Sequence, residues 1–195
     1  MVTSQIKDEI TEQFNIYKQE LGIQREVPLL LDGEGDVGEY SKRGVQIKDG
    51  VMTQWINYPQ RTKFVLIHEL IHAKFNEVKN PFLGTPIVFP SIVLLYLLRE
   101  IRANTIAYQV LGCNDSILED YFLNYYPNLT NSYIHAISAG YVCGNTNVGL
   151  IKGNPIWNGK AIEDAIEFFT TEFPYLKRTS LRKIEQIKRS FIEQL

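Results

Sequence analysis

Apolar side chains recur every three or four residues in the first part of the chain. They stand at Ile6, Ile10, Phe14, Tyr17 and Leu21. This spacing puts all five on one face of a helix, and Gly22 follows as a residue type that commonly ends one. We therefore expect an amphipathic helix over residues 3–21, with this face packed on a core.

Three short apolar runs after that helix predict strands. They cover residues 27–31, 44–48 and 52–56. The glycine-rich stretch 32–36 separates the first run from the second and predicts a loop. Asp49-Gly50 lies between the second and third runs, and this dipeptide favours the tight turn of a β-hairpin. We expect the second and third runs to pair as antiparallel strands.

The rest of the chain has helical spacing interrupted by loops. Helices are predicted over residues 60–75, 91–111, 115–126, 130–142, 160–172 and 178–194. One helix, then strands, then several helices is the order of an α+β fold, with helices packed on a small, twisted, mostly antiparallel sheet. We expect a core domain over residues 1–112. A helical extension over residues 113–195 is expected to pack on it as one compact unit.

Composition narrows the classes of protein. The 195 residues are 45% hydrophobic, which suffices for one substantial domain. A formal net charge of −2 gives no reason to expect direct nucleic-acid binding. The first residues are too polar for a signal peptide, and the longest apolar run, 92–98, is about a third of a membrane span. We expect a cytoplasmic protein without a membrane segment, in which Cys113 and Cys143 are free thiols.

The sequence His68-Glu69-Leu70-Ile71-His72 lies in the middle of the predicted helix 60–75. Residues four apart share one face of a helix, so both imidazoles can reach one metal ion. Glu69 follows the first histidine and projects beside that pair. Two ligands and a neighbouring general base are the arrangement found in zinc hydrolases.

A catalytic zinc site commonly uses three protein ligands, so this motif needs one more. Metzincins supply a third histidine after a glycine, but Phe75 and Val78 stand at those two places. We expect a carboxylate instead. Glu100 is the strongest candidate, because a charged residue inside a long apolar helix needs a partner. Glu77 is expected to lie too near the end of the motif helix to turn back to the same ion. The remaining candidates are Glu119 and Asp120.

Three residues that follow Glu100 share its helical face: Ala103, Asn104 and Ala107. The two alanines predict a close approach between this helix and the motif helix. Asn104 is expected to accept a hydrogen bond from the second ring nitrogen of a ligand histidine, which would fix the direction of the ring. The alternative for Asn104 is an ordinary amide between helices.

This set of residues indicates hydrolysis of a peptide bond. Zinc would polarise the carbonyl and lower the pKa of water, and Glu69 would pass a proton from water to the leaving amine. The predicted strand 52–56 is a possible sheet edge for pairing with an extended peptide. A later segment is expected to stabilise the oxyanion. Its candidates are His135, for which a structural role is the alternative, Tyr133 and Tyr141.

Residues 44–75 resemble the ImmA/IrrE family of bacterial and phage metallopeptidases. The resemblance rests on two predicted strands followed by the run R-T-K-F-V-L-I-H-E-L-I-H at residues 61–72. Residues 99–108, R-E-I-R-A-N-T-I-A-Y, are similar to that family's E-x-x-A-N-x-x-A helix. The resemblance implies a zincin-like fold of the gluzincin type, with zinc ligands at His68, His72 and Glu100 and a catalytic Glu69. It also implies a protein substrate, in this family often a DNA-binding repressor of a mobile element or stress response.

The resemblance covers residues 40–111. Leu97, Leu98 and Arg99 depart from the small and acidic residues that family members often place there, and the chain after Cys113 resembles nothing in the family. Two other hypotheses stay open: a regulatory protein that keeps the zinc fold and docks to a partner, and a purely structural zinc site. Glu69 favours the enzyme over the docking protein, and a structural site lacks a visible fourth ligand.

Overall fold

The computed structural model describes residues 2–35, 37–78, 89–112, 156–173 and 175–195. The helices in these ranges are α1 (Ser4–Glu20), α2 (Asp49–Thr53), α3 (Pro59–Lys74), α4 (Pro90–Leu111), α5 (Gly159–Glu172) and α6 (Leu181–Ile192). A short 3-10 turn covers Leu176–Arg178. The strands are β1 (Leu29–Leu30), β2 (Gly38–Ser41) and β3 (Gly44–Ile47). The described chain is therefore an α+β structure, as expected.

Helix α1 forms where the apolar spacing predicts it. The Thr3 side chain caps its first turn by accepting a hydrogen bond from the Ile6 backbone N–H. The predicted apolar face is buried in the core that α1 shares with the sheet, α3 and the second half of α4. The amphipathic pattern thus identifies both the helix and the face that it packs.

The sheet is mixed rather than mostly antiparallel. Its strand order is β1-β3-β2, with β1 parallel to β3 and β2 antiparallel to β3. Strand β2 was not expected, because its sequence Gly-Glu-Tyr-Ser carries only one buried residue, Tyr40, and gives no apolar run. The predicted hairpin between residues 44–48 and 52–56 is therefore wrong. The antiparallel partner of β3 is β2, which precedes it in the chain.

The prediction of a strand over residues 52–56 is also wrong, since Asp49–Thr53 forms helix α2. Val51 and Met52 are buried, whereas Ile56 is 69% exposed. A strand would have put Met52 and Ile56 on the same face, which these exposures contradict. The Thr62 hydroxyl donates to the Val51 carbonyl over 3.0 Å and ties this short helix to α3.

Helix α3 is the central element of the described fold. It contacts α1, α2, β2, β3 and α4. Every residue from Phe64 through Ala73 is buried, so apolar surface and the polar motif are enclosed together. Pro59 occupies the first turn, where its missing N–H leaves no helical hydrogen bond unmade.

Helix α4 joins two apolar clusters. Its second half places Ala103, Ala107 and Tyr108 in the cluster around α3. Its first half packs Leu94, Leu97, Leu98 and Ile101 with residues of α5, the 3-10 turn and α6. Gly112 ends α4 in the left-handed conformation, at φ 56°, which glycine adopts at little cost. One long helix therefore connects the α3 region with the last two helices.

Several expectations fall outside the described residues. They are the helices over 115–126 and 130–142, and the two cysteines. Within the described ranges, no helix combines the length and apolar character that crossing a membrane requires.

We predict that Ala103→Leu destabilises the fold. Ala103 is fully buried in the cluster around α3, so three added carbon atoms should force the two helices apart and lower the free energy of unfolding by about 1–3 kcal/mol. Urea unfolding in the presence of a chelator measures this. Gln109→Leu, at an exposed position of the same helix, is the matched control and should change stability by less than about 0.5 kcal/mol. Equal stability of the two variants would contradict close packing at Ala103.

Candidate metal centre

Three buried side chains converge between α3 and α4. His68 and His72 lie one turn apart on α3, and their Nε2 atoms are 3.0 Å apart. Glu100 approaches from α4, with Oε2 3.3 Å from His68 Nε2 and Oε1 3.6 Å from His72 Nε2. All three residues are less than 10% exposed. They lie close enough together to bind one metal ion.

The spacing of these atoms fits shared coordination. Ligand atoms about 2.0–2.1 Å from a tetrahedral ion lie about 3.3 Å from one another. The three separations here, 3.0, 3.3 and 3.6 Å, surround that value. Among the described residues, His68, His72 and Glu100 are also the one group of potential ligands close enough to share an ion.

The other ring nitrogen of each histidine has a separate partner. His68 Nδ1 lies 2.7 Å from Asn104 Oδ1, which is the hydrogen bond expected for Asn104. His72 Nδ1 lies 3.2 Å from Glu77 Oε2. Both partners accept, so each Nδ1 must carry the proton in a neutral ring. When the rings are neutral, as metal binding requires, each Nε2 therefore has its lone pair free for the ion.

Glu77 reaches His72 because of the way in which α3 ends. Asn76 has a left-handed backbone, with φ 55°, and its N–H donates to the Ala73 carbonyl. The next N–H, that of Glu77, donates back to the His72 carbonyl over 2.8 Å. These two bonds form a Schellman motif, which reverses the chain directly over the last turn. Glu77 was not expected to reach the same ion, and its carboxylate indeed contacts Nδ1 of His72 and lies outside the group of potential ligands.

Glu77 also belongs to a buried group of charges. Its Oε1 is 2.5 Å from Arg102 Nη2 and 2.9 Å from Arg99 Nε. Arg102 is 1% exposed, and burial lowers its pKa to about 10 despite the opposing effect of Glu77. A pKa of about 10 leaves Arg102 cationic near neutral pH. No spacing in the sequence predicts this group of charges, although asparagine after a helix is a known signal for the turn that brings Glu77 into it.

Glu69 lies beside the histidines, toward the sheet. It is 8% exposed, and its charge is one of those that act on His72. A Cβ atom built on Gly38 of β2 would lie 3.1 Å from Glu69 Cγ and 2.6 Å from Val65 Cγ1. A side chain at position 38 would therefore collide with α3, and glycine lets strand and helix meet here.

The electrostatics of the metal-free site centre on His72. Burial lowers the pKa of His72, but the charge and hydrogen bond of Glu100, the hydrogen bond of Glu77 and the charge of Glu69 together raise it to about 10. Without a metal ion, a proton on His72 offsets part of the negative charge around it. A divalent cation would take over that role and displace the proton.

The remaining site candidates from the sequence are two acidic residues, two tyrosines and one histidine. His135, Tyr133, Tyr141, Glu119 and Asp120 lie outside the described residues. Comparisons with protein-family models, with curated proteins and with solved structures found no match to this chain. The function of the site must therefore be inferred from its own residues.

We predict that Glu100→Ala strongly reduces metal binding. The change removes one of three converging ligand atoms and leaves the two imidazoles. Loss of the charged ligand should weaken Zn²⁺ binding by at least about 100-fold, as measured by competition with a chromophoric chelator. Glu185→Ala, at an exposed position of α6, is the control and should bind as the wild type does. Full affinity in Glu100→Ala would exclude Glu100 as a ligand.

The pKa of His72 gives a second prediction, for the metal-free protein. Because the folded pKa is about 10 and lies above the ordinary value, protonation stabilises the fold below about pH 6.5 and the contribution is lost as pH rises through about 10. Long-range proton–nitrogen NMR on ¹⁵N-histidine protein should show His72 still protonated at pH 8. The same chain unfolded in urea is the control, with ordinary titration. Ordinary titration of His72 in the folded protein would contradict this electrostatic account.

Proposed function

We propose that this protein is a zinc-dependent metallopeptidase that hydrolyses a peptide bond in a specific protein substrate. The observation that carries the proposal is the convergence of His68, His72 and Glu100 with Glu69 adjacent on the same helix. Two imidazoles and one carboxylate are a ligand set used by catalytic zinc sites. Glu69 adds the acid–base group that peptide hydrolysis requires.

The number of ligands supports a catalytic rather than a structural ion. Structural zinc is almost always enclosed by four protein ligands, whereas catalytic zinc keeps one position for water or substrate. In the part of the chain that the structure describes, the cluster holds three candidate ligands. Nitrogen and oxygen donors, without thiolates, suit zinc in hydrolytic sites.

The role of Glu69 follows from its chemistry and position. A zinc ion bound by the three side chains would supply an electrophile that polarises the scissile carbonyl and lowers the pKa of water. Glu69 accepts a proton from the water whose oxygen attacks the carbonyl carbon. When the C–N bond breaks, Glu69 delivers that proton to the amine nitrogen, so the carboxylate is regenerated. Burial of Glu69 limits its exchange of protons with bulk water.

The sheet supports an extended peptide as the substrate. Residues 52–56 cannot pair with it as a strand, because Asp49–Thr53 is helical. Strand β2, by contrast, is at one edge of the described sheet, and its Gly38 packs against Glu69. A peptide that adds to an edge strand gains main-chain hydrogen bonds. A substrate peptide that pairs with β2 would have its carbonyl groups near Glu69.

The likeness of residues 40–111 to the ImmA/IrrE family supports the same function. The ligand positions of that family's motifs fall on the three residues that converge here, and its base position falls on Glu69, next to His68 on the same helix. The resemblance points to a repressor that binds DNA as the substrate, within a phage or other mobile element or a stress response. The protein would act in the cytoplasm, and Zn²⁺ would be its cofactor.

Glu69→Gln should separate metal binding from hydrolysis. The amide keeps nearly the same shape but cannot accept a proton from water, so cleavage should fall by at least about 100-fold. Zinc affinity should change by less than about threefold, since Glu69 is not among the converging ligands. A proteome-derived peptide library, read by mass spectrometry for new termini, measures cleavage without knowledge of the substrate.

Three controls complete this experiment. Wild-type protein with chelator should lose the same cleavages, and restored Zn²⁺ should recover them. Glu185→Gln, an exposed substitution on α6, should cleave as wild type. Zinc-dependent cleavage that persists in Glu69→Gln would overturn the assignment of Glu69. A wild-type protein that binds zinc tightly and cleaves no peptide would favour the partner-docking hypothesis.

A further inference from the structure

A continuous chain of polar contacts leads from His72 to Gln194, just beyond α6. His72 Nδ1 contacts Glu77 Oε2 at 3.2 Å, and Glu77 Oε1 contacts Arg102 Nη2 at 2.5 Å. Arg102 Nη1 donates to Gln194 Oε1, also over 2.5 Å. Gln194 lies just beyond α6, in the C-terminal segment 193–195. The side chains involved come from the end of α3, from α4 and from the C-terminal segment.

We propose that Glu77 is the positioning residue of His72, and that Arg102, held by the C-terminal segment, keeps Glu77 in place. The affinity of the site for zinc would then depend on Gln194, which lies just beyond α6. The inference extends the proposed function, because it concerns the same site. It requires only that the site binds metal, so it can be tested without any peptidase activity.

The first link rests on the geometry of Glu77. A carboxylate that accepts from the outer nitrogen of a ligand histidine fixes the tautomer and makes the metal-facing nitrogen a better donor. Glu77 is 8% exposed, and the Schellman turn at Asn76 fixes its backbone over His72. The side chain therefore has little freedom to leave this contact. Asn104 performs the corresponding task on His68 as a neutral acceptor.

The second link rests on the way in which Arg102 is held. Its guanidinium carbon lies 3.5 Å from the ring centroid of Phe75 and 4.8 Å from that of Phe191. Phe75 ends α3, and Phe191 belongs to α6. An arginine between two aromatic rings gains cation–π attraction, and its planar fork leaves few other orientations. Gln194 fixes one end of the fork and Glu77 the other.

Charge explains why these two links belong together. Glu77 is surrounded by Arg99 and Arg102, which compensate its buried negative charge. Removing the Glu77 carboxylate from water is costly, and the attraction of the two arginines offsets that cost. The carboxylate can therefore remain charged next to His72. If Arg102 moves, Glu77 loses its most buried cationic partner, and less holds its carboxylate against His72 Nδ1.

The first test compares Glu77→Ala with Glu77→Gln. Zn²⁺ affinity, measured by competition with a chromophoric chelator, should fall about 10–100-fold in Glu77→Ala. Glu77→Gln keeps an acceptor and should recover part of that loss. The visible spectrum of the Co²⁺-loaded protein should shift in both variants, because the ligand field at His72 changes. Glu185→Ala is the control, and Glu77→Ala with wild-type affinity and an unchanged Co²⁺ spectrum would overturn the first link.

The second test asks whether Arg102 and Gln194 act through Glu77. Gln194→Ala should lower Zn²⁺ affinity about threefold to tenfold, whereas Glu193→Ala beside it should not. Arg102→Met should lower affinity more, and Arg102→Lys is the milder variant if the methionine protein does not fold. In the Glu77→Ala background, neither the Arg102 change nor Gln194→Ala should lower affinity further. Equal losses in both backgrounds would show independent action and overturn the second link.

These outcomes are distinct from the test of the proposed function. Glu69→Gln abolishes cleavage but leaves zinc affinity and the Co²⁺ spectrum as in wild type, if both accounts hold. A protein that binds zinc without cleaving peptides could still obey the Glu77 and Arg102 predictions. The converse outcome is that the wild type cleaves peptides while Glu77→Ala and Gln194→Ala both bind zinc normally. That result would support the proposed function and overturn the link between Gln194 and the site.

Discussion

The packing of α4 on α3 is the contact on which the rest of the structure depends. The two histidines belong to α3, and both Glu100 and Asn104 belong to α4, so the cluster exists only while the two helices stay in register. Fully buried alanines, Ala103 and Ala107, lie in the same contact. Small side chains allow the close approach that short hydrogen bonds and shared coordination need. Larger residues at these positions would separate ligand atoms that must lie about 3.3 Å from one another.

Burial of so many polar groups in this contact has an energetic consequence. An ionised or hydrogen-bonding group in a protein interior is costly unless it has partners. Here the partners are internal: Asn104 for His68, Glu77 for His72, and Arg99 and Arg102 for Glu77. The remaining excess of negative charge near His72 raises the pKa of its imidazole to about 10. A bound cation would satisfy the same demand, so metal binding and the stability of this interface should be linked.

The sequence predicts the helical part of this arrangement well because each helix carries a long periodic signal. The apolar spacing identifies α1 and its buried face, and the His68-to-His72 spacing together with an acidic residue in the next helix predicts the cluster. Short elements are harder to predict from the sequence, because they carry too few residues for a periodic signal. Asp49-Gly50 suggested a hairpin, but burial of Val51 and Met52 side by side makes a helix the better packed choice. Strand β2 has no apolar run at all, and its place depends on pairing with β3 and on Gly38 fitting against α3. The contact of Glu77 with His72 depends on one left-handed residue, Asn76, which spacing arguments do not detect.

The central claim is that two histidines and one glutamate bind a single zinc ion, and X-ray absorption at the zinc edge tests it most directly. For protein loaded with one equivalent of Zn²⁺, the account predicts only nitrogen and oxygen neighbours at about 2.0–2.1 Å. The outer-shell scattering should correspond to two imidazoles, and it should fall to one in His72→Ala. A sulfur neighbour at about 2.3 Å would implicate a cysteine and contradict the account. Scattering from three imidazoles would equally contradict it, because the third histidine would then occupy the position assigned to Glu100.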